Sequence, residues 1–274
     1  MNLLKDITIG QYVPGESTIH RLDPRVKIAL SAVLMVLIFV VESYIGFAII
    51  FGFLLLVTLL SGIQFRYVIR GLKPILFLVL ITVVFNLFFA KGTLVVPQKI
   101  YGISLPITWE GLATAVRMAI RLILLVFSTS LLTLSTSPIQ LTDAMENLLA
   151  PFKKIGIPAH ELAMMMTIAL RFIPVLIEET DKIFKAQRSR GARFGRGGII
   201  EKAKSLLPIL VPLFVHAFKH AEDLAAAMES RCYRGGEGRT RLRQLKITAL
   251  DGWAFLFCGI IFSFVAWWNF YGKL

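Results

Sequence analysis

Residues 45–60 read IGFAIIFGFLLLVTLL, an uninterrupted apolar run that contains no charged side chain. A helix needs about 20 apolar residues to cross the roughly 30 Å hydrocarbon core of a bilayer, and flanking residues bring this run close to that length. A continuous run, in contrast to one that alternates with polar residues, indicates a helix and not a strand of a membrane barrel. The stretch therefore predicts a membrane-spanning α-helix.

Other parts of the chain repeat this pattern. The additional apolar runs cover residues 28–41, 75–90, 122–134 and 247–270. The composition agrees, because a chain of 274 residues that is 56% hydrophobic, with a mean hydropathy of +0.73, is too apolar for an ordinary soluble domain. Backbone groups in hydrocarbon must be satisfied internally. We therefore predict an all-α, polytopic membrane protein with about five transmembrane helices.

The charges divide the chain into three parts. Residues 1–135 comprise an N-terminal segment and four spans, residues 136–246 form a long connection, and residues 247–274 form the last span. The connection holds 18 of the 30 Lys and Arg residues but 11 Asp and Glu residues. Lys and Arg concentrate in cytoplasmic loops, so we expect the N-terminus and the connection to be cytosolic. Anionic lipids account for this basic excess, and nucleic acid need not be invoked.

The connection contains three helical patterns, which start near residues 137, 159 and 205. The second has a kink predicted at Pro174, and it changes from apolar to charged along its length. The third carries an apolar stripe opposed by charged residues, which is typical of an amphipathic helix against lipid or partner helices. Elsewhere, Arg117 and Arg121 lie one turn apart near the fourth span. Headgroup snorkelling and a polar contact with another helix are both consistent with their position.

Two similar hexapeptides end the second and third helical patterns, AQRSRG at 186–191 and AMESRC at 227–232. Each places an arginine, Arg190 or Arg231, near the predicted C-terminus, where a cation interacts favourably with the helix dipole. Ordinary capping explains one such arginine. Two of them, 41 residues apart, indicate a paired device in which each guanidinium fork can bond carboxylates or carbonyls of a partner.

Signals of enzymatic chemistry are weak. The chain has no Gly-x-x-x-x-Gly-Lys-Ser/Thr motif, so we expect no ATP hydrolysis through a P-loop. The glycine-rich basic stretch 191–198 does not fit a dinucleotide fingerprint and is interpreted as a linker. His216 and His220 are one turn apart, but a third ligand is not evident. We predict neither catalytic residues nor a metal site.

A family resemblance covers nearly the whole length of the chain. The N-terminal residues GQY at 10–12 and STIHRLDPRVK at 17–27, the long helices and the two arginine-bearing ends resemble the transmembrane T component (EcfT/CbiQ-like family) of energy-coupling factor (ECF) transporters. In that family each end carries Ala-Arg-Gly. This sequence has serine at the first position of both motifs, and cysteine replaces the second glycine. The candidate site residues are Ser189, Arg190, Gly191, Ser230, Arg231 and Cys232, supported by Gln187, Arg188 and Glu229.

The resemblance implies a non-catalytic coupling subunit of an ABC-type uptake transporter. Two cytosolic ATPase subunits would bind ATP and Mg, and a small substrate-binding membrane subunit (the S component) would capture a vitamin or a transition metal. This chain would bind no cofactor and would link them within the lipid bilayer of a bacterial or archaeal cytoplasmic (inner) membrane. The substrate, and whether the subunit is dedicated or shared, stay open.

Two alternative functions have sequence features of their own. A self-sufficient permease would need polar or broken spans near the bilayer midplane, and the predicted spans are uniformly apolar. A membrane-bound enzyme that acts on anionic substrates would use the arginines between Arg188 and Arg196, but the carboxylates or metal ligands for such chemistry are not found beside them. Both alternatives are less favoured than the coupling role.

Overall fold

The computed structural model describes residues 12–89, 108–156, 158–192, 194, 198–235, 245 and 247–271. Within these ranges the chain forms helices and no strand, which confirms the predicted all-α fold. The helices are α1 (Thr18–Arg21), α2 (Pro24–Val40), α3 (Tyr44–Ser61), α4 (Phe65–Phe89), α5 (Trp109–Ser135), α6 (Pro138–Leu149), a 3-10 helix (Ala150–Ile155), α7 (Ala159–Ser189), α8 (Ile199–Ser230) and α9 (Ala249–Tyr271).

Five helices in the described part of the chain, α3, α4, α5, α7 and α9, are long and apolar enough to cross a membrane by length and composition. Four of the predicted spans coincide with α3, α4, α5 and α9, although residue 90 of the predicted third span lies outside the described residues. The polytopic fold is therefore confirmed, but the set of candidate spans differs from the predicted set by one helix.

The difference concerns α2 and α7. The predicted span 28–41 lies in α2, which has 17 residues and so stands at the lower limit of roughly 17–25 residues for a crossing. Helix α7 has 31 residues, and its apolar first half gives it a hydrophobic segment of sufficient length. The sequence analysis places this helix within the connection of residues 136–246, with its apolar start near lipid and its charged end in water.

The chain divides into two compact units. The first contains the described residues of Ile9–Ala144 and Gln244–Leu274, and therefore α1 to α5 and α9. The second, Met145–Arg243, contains α7 and α8. The core of the first unit is built from α2, α3, α5 and α9, and includes the fully buried residues Ile38, Ile50, Leu54, Leu124, Phe127 and Val265.

Polar contacts in the first unit join α9 to both ends of α2. At one end, Asp251 Oδ1 accepts a hydrogen bond from the backbone N–H of Asp23 at 2.8 Å, while its Oδ2 accepts from Thr248. At the other end, Asn269 Oδ1 accepts from the Glu42 N–H at 3.0 Å, and Asn269 Nδ2 donates to the Val40 carbonyl. These side chains satisfy backbone groups at the helix ends that would otherwise be left without partners.

Arg117 and Arg121 have different roles. Arg121 donates to the carbonyl of Val41 at 2.9 Å, and its guanidinium lies 6.0 Å from the centre of the Phe47 ring. Arg121 therefore makes the polar contact with a neighbouring segment that was one of the two interpretations. Arg117 donates to the Ala113 carbonyl of its own helix, so it makes no such contact through that bond.

His20 anchors the segment that precedes α2. Its Nε2–H donates to the Val13 carbonyl at 3.0 Å, and its Nδ1 lies 2.7 Å from the Ser17 hydroxyl. A neutral imidazole with its proton on Nε2 fits this pattern, because the Val13 carbonyl accepts from Nε2–H and Nδ1 can then accept the Ser17 hydroxyl proton. Burial is the main cause that lowers the pKa of His20 below its ordinary value of 6.5; the charge on Lys27 adds to this, and the Val13 bond opposes it.

Acidification should destabilise the folded chain through His20. The pKa of His20 is lower in the folded chain than in the unfolded chain, so the stabilising contribution is present above pH 6.5 and is lost as the pH falls below that value. We expect the thermal midpoint in detergent to decrease between pH 7.5 and pH 5.5, and His20→Gln to reduce this decrease. His160→Gln serves as the control, and an unchanged pH dependence in His20→Gln would contradict the expectation.

Candidate functional site

The second unit places the two arginine-bearing sequences at the C-termini of its two long helices. Helix α7 ends at Ser189 with Arg190 as its C-cap, and helix α8 ends at Ser230 with Arg231 as its C-cap. The backbone angles of the two arginines are close, with φ −80° and ψ 6° at Arg190 and φ −90° and ψ 12° at Arg231. The doubled sequence pattern therefore corresponds to a doubled local structure.

The end of α7 is closed by two backbone hydrogen bonds. The N–H of Gly191 donates to the Arg188 carbonyl at 3.1 Å, and the N–H of Ala192 donates to the Gln187 carbonyl at 3.0 Å. Gly191 has a φ of +88°, the left-handed conformation in which the chain turns away from the helix axis. Together these features form a Schellman motif, the common glycine-containing helix end.

The end of α8 has the same pair of bonds. The N–H of Cys232 donates to the Glu229 carbonyl at 2.8 Å, and the N–H of Tyr233 donates to the Met228 carbonyl at 3.0 Å. Cys232, which stands where the first motif has Gly191, has a φ of +55°, and it is the one non-glycine residue with positive φ among the described residues. The absence of glycine therefore raises the free energy of this left-handed conformation, but Cys232 still adopts it.

Both arginine side chains project from these ends into solvent. Arg190 and Arg231 are exposed, and within the described part of the chain neither guanidinium has a hydrogen bond or an ion pair. The neighbouring serines are also exposed, but their hydroxyl groups donate to carbonyls of their own helices, Ser189 to Lys185 and Ser230 to Ala227. The guanidinium groups of Arg190 and Arg231 are thus available as polar donors at the two ends.

The three supporting residues each provide a backbone carbonyl to the hydrogen bonds that close the helix ends. The carbonyls of Gln187, Arg188 and Glu229 are acceptors in the two Schellman motifs. Their side chains differ in charge, and Gln187 is half-buried while Arg188 and Glu229 are exposed. The two ends therefore share a backbone structure and an arginine, and differ in the charge beside that arginine.

Helices α7 and α8 contact each other through a polar cluster that sequence reasoning did not find. Glu179 Oε1 lies 2.9 Å from His220 Nε2 and 3.7 Å from His216 Nδ1, and the Phe172 ring lies 5.9 Å from the His220 ring, centre to centre. A search of the described residues finds no group of three or more His, Cys, Asp or Glu side chains arranged to hold a metal ion. The two histidines are therefore contacts between helices.

This contact has the same register on both helices. Glu179 precedes Arg190 by eleven residues, and His220 precedes Arg231 by eleven residues. At 1.5 Å per residue, each arginine lies about 16 Å along its helix from the contact. The two motifs are 41 residues apart, and the same offset separates Glu179 from His220. This shared offset was the signal in the sequence from which the contact between the two helices could have been found.

Cys232→Gly should stabilise the end of α8. A left-handed conformation costs a non-glycine residue roughly 1–2 kcal/mol, part of which is offset by the greater freedom of glycine in the unfolded chain. We expect a gain of about 1 kcal/mol, seen as about fivefold slower hydrogen–deuterium exchange in peptides that cover residues 224–235. Gly191→Ala is the mirror control: it should accelerate exchange at the end of α7 alone. Faster exchange in Cys232→Gly would contradict this account.

Comparison with known proteins places this chain in a family. A family model named CbiQ and described as "Cobalt transport protein" matches residues 15–242. Three relatives are each named "Energy-coupling factor transporter transmembrane protein EcfT". The protein from Thermosediminibacter oceani is 56% identical over 94% of this chain and 96% of its own length, that from Clostridium kluyveri is 54% identical over 97% and 100%, and that from Ruminiclostridium cellulolyticum is 53% identical over 97% and 97%. The chain belongs to the CbiQ/EcfT family, the transmembrane components of energy-coupling factor transporters.

Proposed function

We propose that the two helix ends are the points at which this chain receives motion from two cytosolic ATPase subunits. Family membership makes the chain a non-catalytic membrane component of an ECF transporter. The observation that supports the proposal is the pair of exposed C-cap arginines, Arg190 and Arg231, with matching backbone angles. Two equivalent contact points suit two equivalent partners, and each ATPase would take one end.

The chemistry of arginine fits such a contact. A guanidinium offers five donors in a planar fork, and it can bond two acceptors of a carboxylate or two carbonyls at once. At the C-terminus of a helix it also reduces the exposed negative end of the dipole. Small neighbours, Ser189 and Ser230, allow the surface of a partner to approach the helix end closely. ATP and Mg would be bound by the ATPases, and this chain would bind neither.

The Glu179–His220 contact would make the two helices move together. If the ATPase pair closes on ATP, the two helix ends are displaced, and a contact about 16 Å from each end carries part of the displacement of one helix to the other. The ATPases must contact the ends differently in the two nucleotide states, because equal contacts shift no equilibrium. The coupled helices would then tilt a substrate-binding partner.

The apolar surface of α8 is suited to that partner. Four side chains of the predicted stripe are between 42% and 68% exposed in the described structure, namely Leu207, Leu210, Phe214 and Phe218. Exposed apolar patches of this kind mark protein or membrane contacts. We assign this face to the small substrate-binding membrane subunit, which would hold the vitamin or transition metal.

The orientation follows from charge. The basic residues of 136–246 favour the cytosolic side, so α8, the arginine-bearing ends and the N-terminus would face the cytosol, with the chain in the cytoplasmic membrane. This orientation brings Arg190 and Arg231 to the side on which ATP is available.

Arg190→Ala and Arg231→Ala should each weaken ATPase docking. Hydrogen bonds to charged groups contribute about 1.5–3 kcal/mol, so we expect a loss of about tenfold or more for each variant and a greater loss for the double variant. The measurements are co-purification of the ATPases and ATP-dependent uptake in proteoliposomes. Arg234→Ala removes a nearby exposed arginine and should leave both unchanged. Normal docking and uptake in the double variant would refute the assignment.

Glu179→Gln should reduce coupling without reducing docking. The variant removes the carboxylate that bonds His220, while both helix ends keep their arginines. We expect ATPase co-purification to persist and the amount of substrate transported per ATP hydrolysed to fall severalfold. Glu178→Gln changes the exposed neighbouring carboxylate and is the matched control. If Glu179→Gln and Glu178→Gln transport equally well per ATP, the contact has no part in coupling.

A further inference from the structure

The N-terminal segment 12–27 carries part of the family resemblance, but the proposed coupling function makes no use of it. In the first unit the chain leaves α5 after Ser135, enters the connection of residues 136–246, and returns just before α9. We call the end of α5 the exit and the start of α9 the return. The structure describes four hydrogen bonds from segment 12–27 to other parts of the chain, and all four go to the exit or the return.

At the exit, two donors of this segment bond the last carbonyls of α5. The Val13 N–H donates to the Leu134 carbonyl at 3.0 Å. Lys27 Nζ donates to the Ser135 carbonyl at 3.0 Å. The last carbonyls of a helix have no donor within the helix, so these two bonds supply partners that α5 itself lacks. Lys27 is 7% exposed, which leaves water little access to replace its ammonium.

At the return, the same segment bonds the start of α9. Asp251 Oδ1 accepts from the Asp23 N–H at 2.8 Å, while Asp251 Oδ2 accepts from the Thr248 N–H at 2.7 Å. Arg25 Nη2 donates to the Leu245 carbonyl at 3.3 Å. Segment 12–27 therefore holds the chain on both sides of the first turn of α9.

Buried charges connect the exit to the return. The Lys27 ammonium lies at the exit, and its charge interacts with the carboxylates of Asp23 and Asp251 at the return. All three side chains are buried. Buried charges are tolerated where opposite charges and hydrogen bonds compensate them, and removal of one member leaves the others uncompensated. A change at the exit therefore also weakens the return.

This arrangement bears on how motion enters the first unit. Displacement of α7 and α8 passes along the chain to the exit and the return, where the connection joins α5 and α9. If these two places were not linked, each could shift separately, and part of the displacement would be lost in local deformation. Because segment 12–27 bonds both of them and continues into α2, the helices α2, α5 and α9 take up the displacement together.

We infer that segment 12–27 is a clasp that holds the exit and the return together, and that Lys27 and Arg25 are positioning residues for coupling. The inference rests on the proposed function, in which α7 and α8 receive motion from the ATPases. Lys27 acts on the exit through the Ser135 carbonyl, and Arg25 acts on the return through the Leu245 carbonyl. The two residues act through the ends of α5 and α9 and not through contact with an ATPase.

Hydrogen–deuterium exchange of the full chain in detergent, without ATPases, tests the clasp itself. Lys27→Met should accelerate exchange at least threefold in peptides that cover residues 131–137. Arg25→Ala should do the same in peptides that cover residues 247–252. The matched controls are Lys73→Met, an exposed lysine of α4, and Arg21→Ala, whose side chain is 67% exposed. Exchange in both clasp variants equal to that of their controls overturns the inference.

Reconstituted transport tests the positioning role. With Lys27→Met or Arg25→Ala in the assembled transporter, we expect ATPase co-purification to persist and the substrate transported per ATP hydrolysed to fall severalfold. A merely less stable chain would lower transport and hydrolysis in proportion and leave this ratio unchanged. A ratio equal to that of Lys73→Met and Arg21→Ala, or loss of ATPase co-purification in both clasp variants, overturns the role.

The two variants also guard against failure to fold. Arg25 has a side chain that is 28% exposed, so Arg25→Ala keeps both tests valid if Lys27→Met does not fold. The exchange measurement contains no ATPase, and a failure there counts against the clasp alone. Normal ATPase docking by the double variant of Arg190 and Arg231 counts against the proposed function and leaves the exchange result unaffected.

Discussion

Two backbone hydrogen bonds at the end of each long helix determine where the arginines of the second unit lie. The last carbonyls of a helix have no intrahelical donor. In α7 and α8 the two residues that follow the C-cap supply donors to two of these carbonyls. The chain can supply them because Gly191 and Cys232 adopt positive φ angles. Because the backbone turns away at that residue, the C-cap arginine lies on a well-defined helix end and is exposed.

The first unit meets a different constraint, since its helices have apolar surfaces and few polar groups with which to fix their relative positions. The polar side chains that it has are placed at helix ends. Asp251 and Asn269 attach α9 to the two ends of α2, and Arg121 bonds a carbonyl beside the same helix. Lys27 joins α2 to α5 through its bond to the Ser135 carbonyl. These contacts at helix ends fix the packing of the first unit, and the proposed coupling contacts belong to the second unit.

The hydrophobic runs predicted α3, α4, α5 and α9 because a span of about 20 apolar residues has few other uses. The hydrophobic runs did not show that α7, and not α2, is long and apolar enough to be a candidate span. Helix α2 is short, and α7 is apolar over only part of its length. The position of both arginines at helix ends was predictable because the sequence pattern is repeated. The backbone angle φ cannot be read from a sequence, so only the structure shows that Cys232 and Gly191 adopt equivalent conformations. The Glu179–His220 contact was not predictable either, because it depends on how two helices cross.

The proposed function requires both helix ends to contact ATPases and these contacts to change with the bound nucleotide. A photo-crosslinking amino acid placed at position 189 or 230 of the full chain, in membranes that contain the assembled transporter, tests it most directly. A third position, 76, on the exposed surface of α4, serves as the reference. The account predicts crosslinks to ATPase subunits from 189 and 230, with yields that differ between ATP-bound and nucleotide-free states, and none from 76. Crosslinks from 189 and 230 to lipid alone, or ATPase crosslinks of equal yield in both states, would contradict it.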